Sequence, residues 1–220
     1  MSLKPMYAKL ISFSLYGDDP KYLMGAIRNA CLVPLYYPGW QMRVYCADDV
    51  DANELQRLGC QIERMGVSHD HSGMLWRFLP AWEEGVDRVI FRDADSRLGP
   101  REAAAVAAWE ASGLDTHAMH DHLFHGCLPI FGGMWGVRGG VLPNIMSQWT
   151  RYMSSMQRRV EDMHILRLSI LPHIKNSVLR HSSVPVQWPS LPFPNHAPQI
   201  GFVGQQCEAD DRRIWPALPK

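Results

Sequence analysis

The chain has 220 residues, of which 46% are hydrophobic and 20% charged, a composition that suits a globular protein with one sizeable core. Lysine plus arginine and aspartate plus glutamate number 22 each, so no global basic field advertises nucleic acid or an anionic membrane. No apolar run is long enough to span a bilayer, no signal peptide is read before the first strand, and five scattered cysteines (Cys31, Cys46, Cys60, Cys127, Cys207) without a C-x-x-C pair fit reduced thiols in a cytosol-like compartment.

Residues 9–15 (KLISFSL) alternate and predict a strand. Tyr16-Gly17-Asp18-Asp19-Pro20 breaks it, with Asp19 suited to cap a helix and Pro20 to open one. Tyr22, Leu23, Ala26, Ile27, Ala30 and Cys31 then form one apolar stripe. The loop after a first strand is a natural seat for base and ribose, and Tyr16 suits stacking on a base or plain packing. Residues 41–47 (QMRVYCA) predict a second strand, ending on Asp48 and Asp49, which read as caps for a helix near 53–58. Residues 60–65 predict a short third strand. Residues 74–83 (MLWRFLPAWE) resume helical spacing with Pro80 as a kink or break. Arg77 lies inside that apolar patch, either snorkelling to the surface or meeting a ligand.

Residues 87–100 (DRVIFRDADSRLGP) organise the rest. Arg88-Val89-Ile90-Phe91 reads as a buried strand that stops on Asp93 and Asp95. Ligands of open α/β sheets bind beyond the carboxyl ends of the strands. Carboxylates at i and i+2 repel unless a cation lies between them, and a hard divalent ion such as Mg2+ or Mn2+ takes oxygen ligands while leaving positions for phosphate. The bland alternative is a solvated turn that caps the next helix, which residues 102–110 (EAAAVAAWE) predict. Strand and helix have alternated throughout, which predicts an α/β fold with a mostly parallel central sheet flanked by helices.

Residues 116–125 (THAMHDHLFH) carry histidines at 117, 120, 122 and 125 in an alternation that fits a strand with a wet face; no cysteines stand at finger-like spacing for zinc. Asp121 and His122 suit acceptor-side groups. Residues 130–137 (IFGGMWGV) predict a strand in which Gly132 and Gly133 mark a bulge or a close approach of ligand to backbone. Trp135 is a candidate sugar platform. Residues 142–156 predict an amphipathic helix with a basic end at Arg151, Arg158 and Arg159, residues 161–166 begin another helical stretch, and residues 171–178 are ambiguous. From Val184 the chain is Pro-rich. One domain over residues 1–220 is expected, with its core at about 9–183 and a wrapping tail at 184–220.

On the R-D-A-D-S-R block at 92–97, Asp121-His122, and Gly132-Gly133-Met134-Trp135-Gly136, the chain resembles GT-A glycosyltransferases. The layout is nearest to the glycogenin-like retaining enzymes. It also resembles a group of microbial and viral proteins that carry the same three blocks. The similarity runs over about residues 9–204. It implies a single Rossmann-like GT-A domain in the cytoplasm of a microbial or virus-infected cell. It also implies metal-dependent transfer of a sugar from a nucleotide-diphosphate donor, a UDP-sugar by preference, to a hydroxyl acceptor. Asp93 and Asp95 would hold Mn2+ or Mg2+, with His181 as a further ligand and His196 in reserve. Tyr16, Arg77, Arg92, Ala94 and Trp135 would line the donor site with the two aspartates, and Gly132 and Gly133 would let the sugar lie against backbone. Asp162 matches a D-Q motif whose amide is replaced here by Met163. An inverting enzyme would take Asp121 or Asp162 as general base. The family's late lysine-bearing diphosphate loop is only echoed by residues 200–204, which leaves the diphosphate to Arg92, Arg97 or another cation.

Two other readings compete. A sugar-nucleotidyltransferase wants a Gly-rich basic loop after the first strand, and the acidic loop at 16–19 counts against it. A catalytically silent nucleotide-sugar or carbohydrate-binding protein would keep the same scaffold. The acceptor is open between a saccharide, a protein side chain, a small molecule and a hydroxymethylated base in DNA. The last would use Arg151, Arg158, Arg159, Arg167, Lys175 and Arg180 as a basic track, if these are not simply a solvated face.

Overall fold

The computed structural model describes residues 8–66, 71–155, 161–194 and 201–215. Its centre is a seven-stranded sheet in the order β3-β2-β1-β4-β6-β5-β7. The strands are β1 (Ala8–Leu15), β2 (Gln41–Cys46), β3 (Gln61–Arg64), β4 (Val86–Phe91), β5 (Thr116–His120), β6 (Trp135–Arg138) and β7 (Val178–Ser182). All pairs are parallel except those of β6, which runs antiparallel to both β4 and β5. Parallel neighbours require crossovers. These are α1 (Pro20–Tyr36), α2 (Asn53–Arg57), a tightly wound 3-10 segment (His71–Trp82) and α3 (Pro100–Ser112).

The local chemistry explains the boundaries. Asp19 accepts the Lys21 N–H at 3.0 Å and Pro20 opens α1, as the sequence predicts. α2 is preceded by Asp51, whose carboxylate accepts the Asn53 N–H at 3.0 Å, so Asp51 does the work expected of Asp48 and Asp49. α3 stops on Gly113 in the left-handed conformation (φ 72°), which glycine adopts without strain. Pro80 lies inside the 3-10 segment, and regular α-helix is not formed there.

Alternation along the strands sorts side chains to two cores. Leu10, Val89, Phe91 and Trp135 pack with Phe78 and Trp149 on one face. Ile11, Phe13, Val44 and Ile90 pack with Val33, Val106 and Trp109 on the other.

Three expectations need correction. The strand read over 116–125 ends at His120, because His122 caps a short 3-10 turn (Leu123–Cys127) by accepting the Phe124 N–H at 3.3 Å. The helix read from Leu142 begins at Met146 as α4 (Met146–Ser155). The ambiguous stretch after Leu171 is a short helical end followed by β7, an edge strand without clean alternation. Two further short helices, α5 (Glu161–Ile165) and α6 (Leu171–Ile174), flank a wide π-type turn. Among the described residues no helix is long and apolar enough to cross a membrane. All five cysteines are free. Arg158, Arg159 and His196 lie outside the described residues.

Candidate active site

The carboxyl ends of β1, β4 and β5 share one edge of the sheet. β6 runs the other way, so its amino-terminal approach, Gly132-Gly133, arrives at that same edge. A cavity of about 280 Å³ opens there, lined among others by Tyr16, Arg77, Asp93, Asp95, Gly133 and Asp162. Ala94 and Gly132 also border it.

Arg77 is the hub. β1 presents Ser12 and Ser14 on one face, two residues apart. The Ser12 hydroxyl donates to the Arg77 carbonyl at 2.7 Å, and the Arg77 N–H donates to Ser14 Oγ at 2.9 Å. This double clamp fixes the backbone, and the guanidinium then reaches two carboxylates. One nitrogen pairs with Asp93 and the other donates to Asp162 Oδ2 at 3.2 Å. Burial opposes the Arg77 charge, but Asp93 and then Asp162 outweigh it and hold its pKa above the ordinary value. Arg77 is therefore a buried ion-pair centre, not a snorkelling side chain.

The two glycines make room for this arrangement. A Cβ at Gly132 would stand 2.6 Å from both Arg77 and Asp162, and one at Gly133 would collide with the Asp93 carboxylate. The D-A-D-S-R turn is itself tied to α1. Asn29 donates to the Ser96 carbonyl at 2.8 Å and accepts the Leu98 N–H at 2.9 Å. A Cβ at Gly25 would strike the Ala94 carbonyl, so α1 lies flush on the turn. Neither Asn29 nor Gly25 stood out in sequence, since both read as ordinary members of an amphipathic helix.

The late segment closes the other side. The Cys207 N–H donates to the Asp95 carbonyl at 2.7 Å, and Arg97 pairs with Asp211 at 2.7 Å. Gly204 and Gln206 border the cavity beside Met134.

Several expected site residues take other roles. Arg92 is sealed in the core, paired with Glu102 at 3.2 Å while Tyr37 donates to the same carboxylate at 2.7 Å; it does not reach a diphosphate, and Arg97 is engaged by Asp211. Trp135 is 1% exposed and packs on Phe91 (ring centroids 4.5 Å apart) and Phe78. Its pairing opposite Phe91 turns it into the core, so it is no sugar platform. Asp121 is buried and fully engaged: it pairs with Arg101 at 2.8 Å, accepts the Ser183 hydroxyl at 2.5 Å and the Val203 N–H at 2.9 Å. It ties three segments together and does not border the cavity. His181 meets the buried His117 at 2.9 Å and packs on Phe193. Burial lowers its pKa and that of His117. Among the described residues no group of three or more His, Cys, Asp or Glu is arranged to hold a metal, so His181 does not complete a site with Asp93 and Asp95. The two aspartates alone still fit a hard divalent ion, which commonly uses one or two protein carboxylates and takes its other oxygens from substrate phosphate and water.

Sequence reading missed His125 at the cavity. Its Nδ1 accepts the Asp121 N–H at 3.2 Å. Burial, helped by His120 and His122, lowers its pKa to about 4. The ring is thus neutral near pH 7 with its proton on Nε2. It had been read as one of four histidines on a strand, and the strand's early end is what frees it.

No family model matches the sequence, and no curated protein matches it. Solved structures do. Glucosyl-3-phosphoglycerate synthase from Mycobacterium tuberculosis in complex with phosphoglyceric acid superposes with a TM-score of 0.51 at 11% identity, over 80% of this chain and 70% of that one. The same enzyme with Mn2+, uridine diphosphate and glucosyl-3-phosphoglycerate gives 0.51 at 13% identity over the same shares. Mannosyl-3-phosphoglycerate synthase from Rubrobacter xylanophilus gives 0.47 at 15% identity, over 86% of this chain and 68% of that one. At 11% and 13% identity the two likenesses with a TM-score of 0.51 speak for architecture alone. The chain has the GT-A-like fold of nucleotide-diphospho-sugar transferases.

Proposed function

We propose that this protein is a single-domain, metal-dependent glycosyltransferase that moves a sugar from a UDP-type donor to a hydroxyl acceptor. The observation that carries the reading is the Arg77 guanidinium bridging Asp93 and Asp162 above Gly132 and Gly133, beside Asp95, at the carboxyl edge of the sheet. The two glycines form a floor onto which the carboxylates and the cation pack, and a sugar ring would lie against the polar wall so gathered.

The roles follow from position. Tyr16, at the end of β1, borders the cavity and meets Trp76 edge to face, ring centroids 6.0 Å apart; it suits a nucleobase. Asp93 and Asp95 would hold Mn2+ or Mg2+, which supplies Lewis-acid neutralisation of a leaving diphosphate. Arg77 fixes both Asp93 and Asp162, so the polar walls are set before substrate arrives. Asp162 pairs with Arg77 and borders the cavity beside Gly132, where it would stabilise positive charge developing on a sugar ring. Its fixed pairing favours this electrostatic role and a retaining outcome.

Glycosyl transfer and nucleotidyl transfer release different products. The test incubates purified protein with UDP-, GDP- and TDP-hexoses, with Mn2+ or Mg2+ or chelator. Metal-dependent release of a nucleoside diphosphate from one donor is expected. Release of pyrophosphate from a nucleoside triphosphate plus a sugar phosphate would assign nucleotidyl transfer. Absence of both turnover and nucleotide-sugar binding would remove the enzyme reading.

A further inference from the structure

The cavity has two ends, and the strand order sets them apart. Tyr16 follows β1, the aspartates follow β4, the glycine floor precedes β6, and His125 follows β5. If base, metal-bound diphosphate and transferred sugar occupy the first three positions in turn, the fourth is where an acceptor enters. The rings there are distinctive. His125 and Phe131 border the cavity with centroids 5.2 Å apart. Outward from them, Phe202 lies 5.6 Å from His125 and 4.4 Å from His122, and Trp215 lies 6.3 Å from Phe202. Trp215 is 64% exposed. A shelf of aromatic rings, tilted or edge to face with one another, thus runs from the cavity to the exposed Trp215.

The chemistry of the shelf narrows the ligand. Among the described residues, each close cation-ring contact is made elsewhere, on Tyr22, Phe78, Trp109, Phe193 and Trp188. Phosphate or nucleic acid would call for cations free to turn to it, whereas the rings offer apolar surface and the neutral imidazole of His125, and Arg213 beside Gly201 is engaged by Gln205 Oε1 at 3.3 Å. A pyranose has an apolar C–H face and a rim of hydroxyls, which suits an aromatic face beside a neutral N–H donor.

We propose that the acceptor is a saccharide, whose ring stacks on Phe202 and Trp215 at the mouth while His125 donates from Nε2 to one of its hydroxyls. This inference rests on the glycosyl-transfer reading. It gives His125 a positioning role, because a neutral ring whose Nδ1 accepts the Asp121 N–H has no lone pair on Nε2 to serve as base.

The test uses saturation-transfer NMR on the full chain with UDP and Mn2+, and methyl α-D-glucopyranoside, methyl α-D-mannopyranoside and methyl β-D-galactopyranoside as probes. UDP affinity of the wild type is measured separately by calorimetry. The expected result is saturation of the C–H protons of one ring face. Binding should weaken roughly tenfold in Phe202→Ala and in Trp215→Ala, the order of one lost ring contact. His125→Phe keeps the ring and removes the donor, and should weaken binding a few-fold to about tenfold. A thermal melt of each variant shows that it is folded, and the exposed Trp215 serves if Phe202→Ala does not fold. UDP binding without any pyranoside binding would overturn the saccharide assignment and leave the donor reading standing. Pyranoside binding unchanged in both aromatic variants would overturn the shelf. Binding of a hydroxymethylcytosine oligonucleotide in place of the pyranosides would likewise overturn it. Loss of both UDP and pyranoside binding would overturn the donor reading and the inference together.

Discussion

Arg77 and Arg92 are both buried arginines paired with carboxylates, yet they do opposite things. Arg92 meets Glu102, whose side chain is 3% exposed, and the pair is closed off by Tyr37. Arg77 meets Asp93, whose side chain is 41% exposed, at the wall of a cavity. The first pair is a sealed brace between β4, α1 and α3. The second is a brace on one side and an open electrostatic surface on the other. The R-D-A-D-S-R block therefore divides at one peptide bond: Arg92 follows Ile90 to one side of the sheet, and Asp93 follows Phe91 to the other.

This division can be tested by breaking each half. Arg92→Met leaves Glu102 charged in the core, and a loss of about 3–5 kcal/mol is expected from a broken buried pair. Denaturant melts should show it, with most of the loss recovered in the Arg92→Met/Glu102→Leu double variant. A single variant as stable as the wild type would mean that the brace carries nothing. On the open half, Asp95→Ala should lower donor turnover by at least about a hundredfold, the scale of one lost electrostatic contact to a transition state, while the melt shifts by only a few degrees. Unchanged turnover would sink the assignment of the aspartates.

Gly133→Ala probes the seam between floor and wall. Its methyl would displace the half-exposed Asp93 carboxylate and stand 2.9 Å from the Asp93 backbone nitrogen, so the turn itself must shift slightly. The fold should survive, and turnover should fall by about tenfold to a hundredfold, the scale of 1–3 kcal/mol of strain.

The smallest effect concerns pH and belongs to the sealed side. His117 and His181 both have pKa values below their ordinary 6.5, chiefly through burial. The folded chain then binds fewer protons than the unfolded chain as pH falls below about 6.5, so stability is full above that value and declines beneath it. Urea midpoints at pH 7.5 and 5.5 should show the decline, and His117→Leu/His181→Leu should lessen it. An equal decline in both proteins would assign the acid sensitivity elsewhere.

Much of the β1–β4 half was legible in the sequence, because each element there obeys one local rule. The alternation of β1, the Asp19-Pro20 start of α1, and the strand ending on Asp93 and Asp95 are all readable within a few residues. The β5–β7 half was not. Whether Trp135 faces core or cavity depends on its pairing opposite Phe91, a contact between residues far apart in sequence. His181 was read as a ligand because the glycogenin-like pattern supplies a late histidine, and its strand β7 offered no clean alternation to place it. His125 looked like part of a strand until His122 turned the chain. Asp121 was read as an acceptor-side group or base, because the partners that make it a structural tie, Arg101, Ser183 and Val203, come from three distant segments.

The reversal of β6 has a consequence for how such a protein can diversify. Because β6 enters the sheet from the site's own edge, the connection from β5 crosses the mouth and returns without passing around the back of the sheet. Residues 121–134 form an excursion with both ends anchored at the same place. An insertion or exchange within its 122–131 part, short of Gly132 and Gly133 and their contacts with Arg77 and Asp93, would alter what the mouth admits while leaving the β1–β4 half in place. On the proposed reading, donor chemistry and acceptor choice would lie on separable stretches of chain, so a lineage could change its customer without relearning its trade.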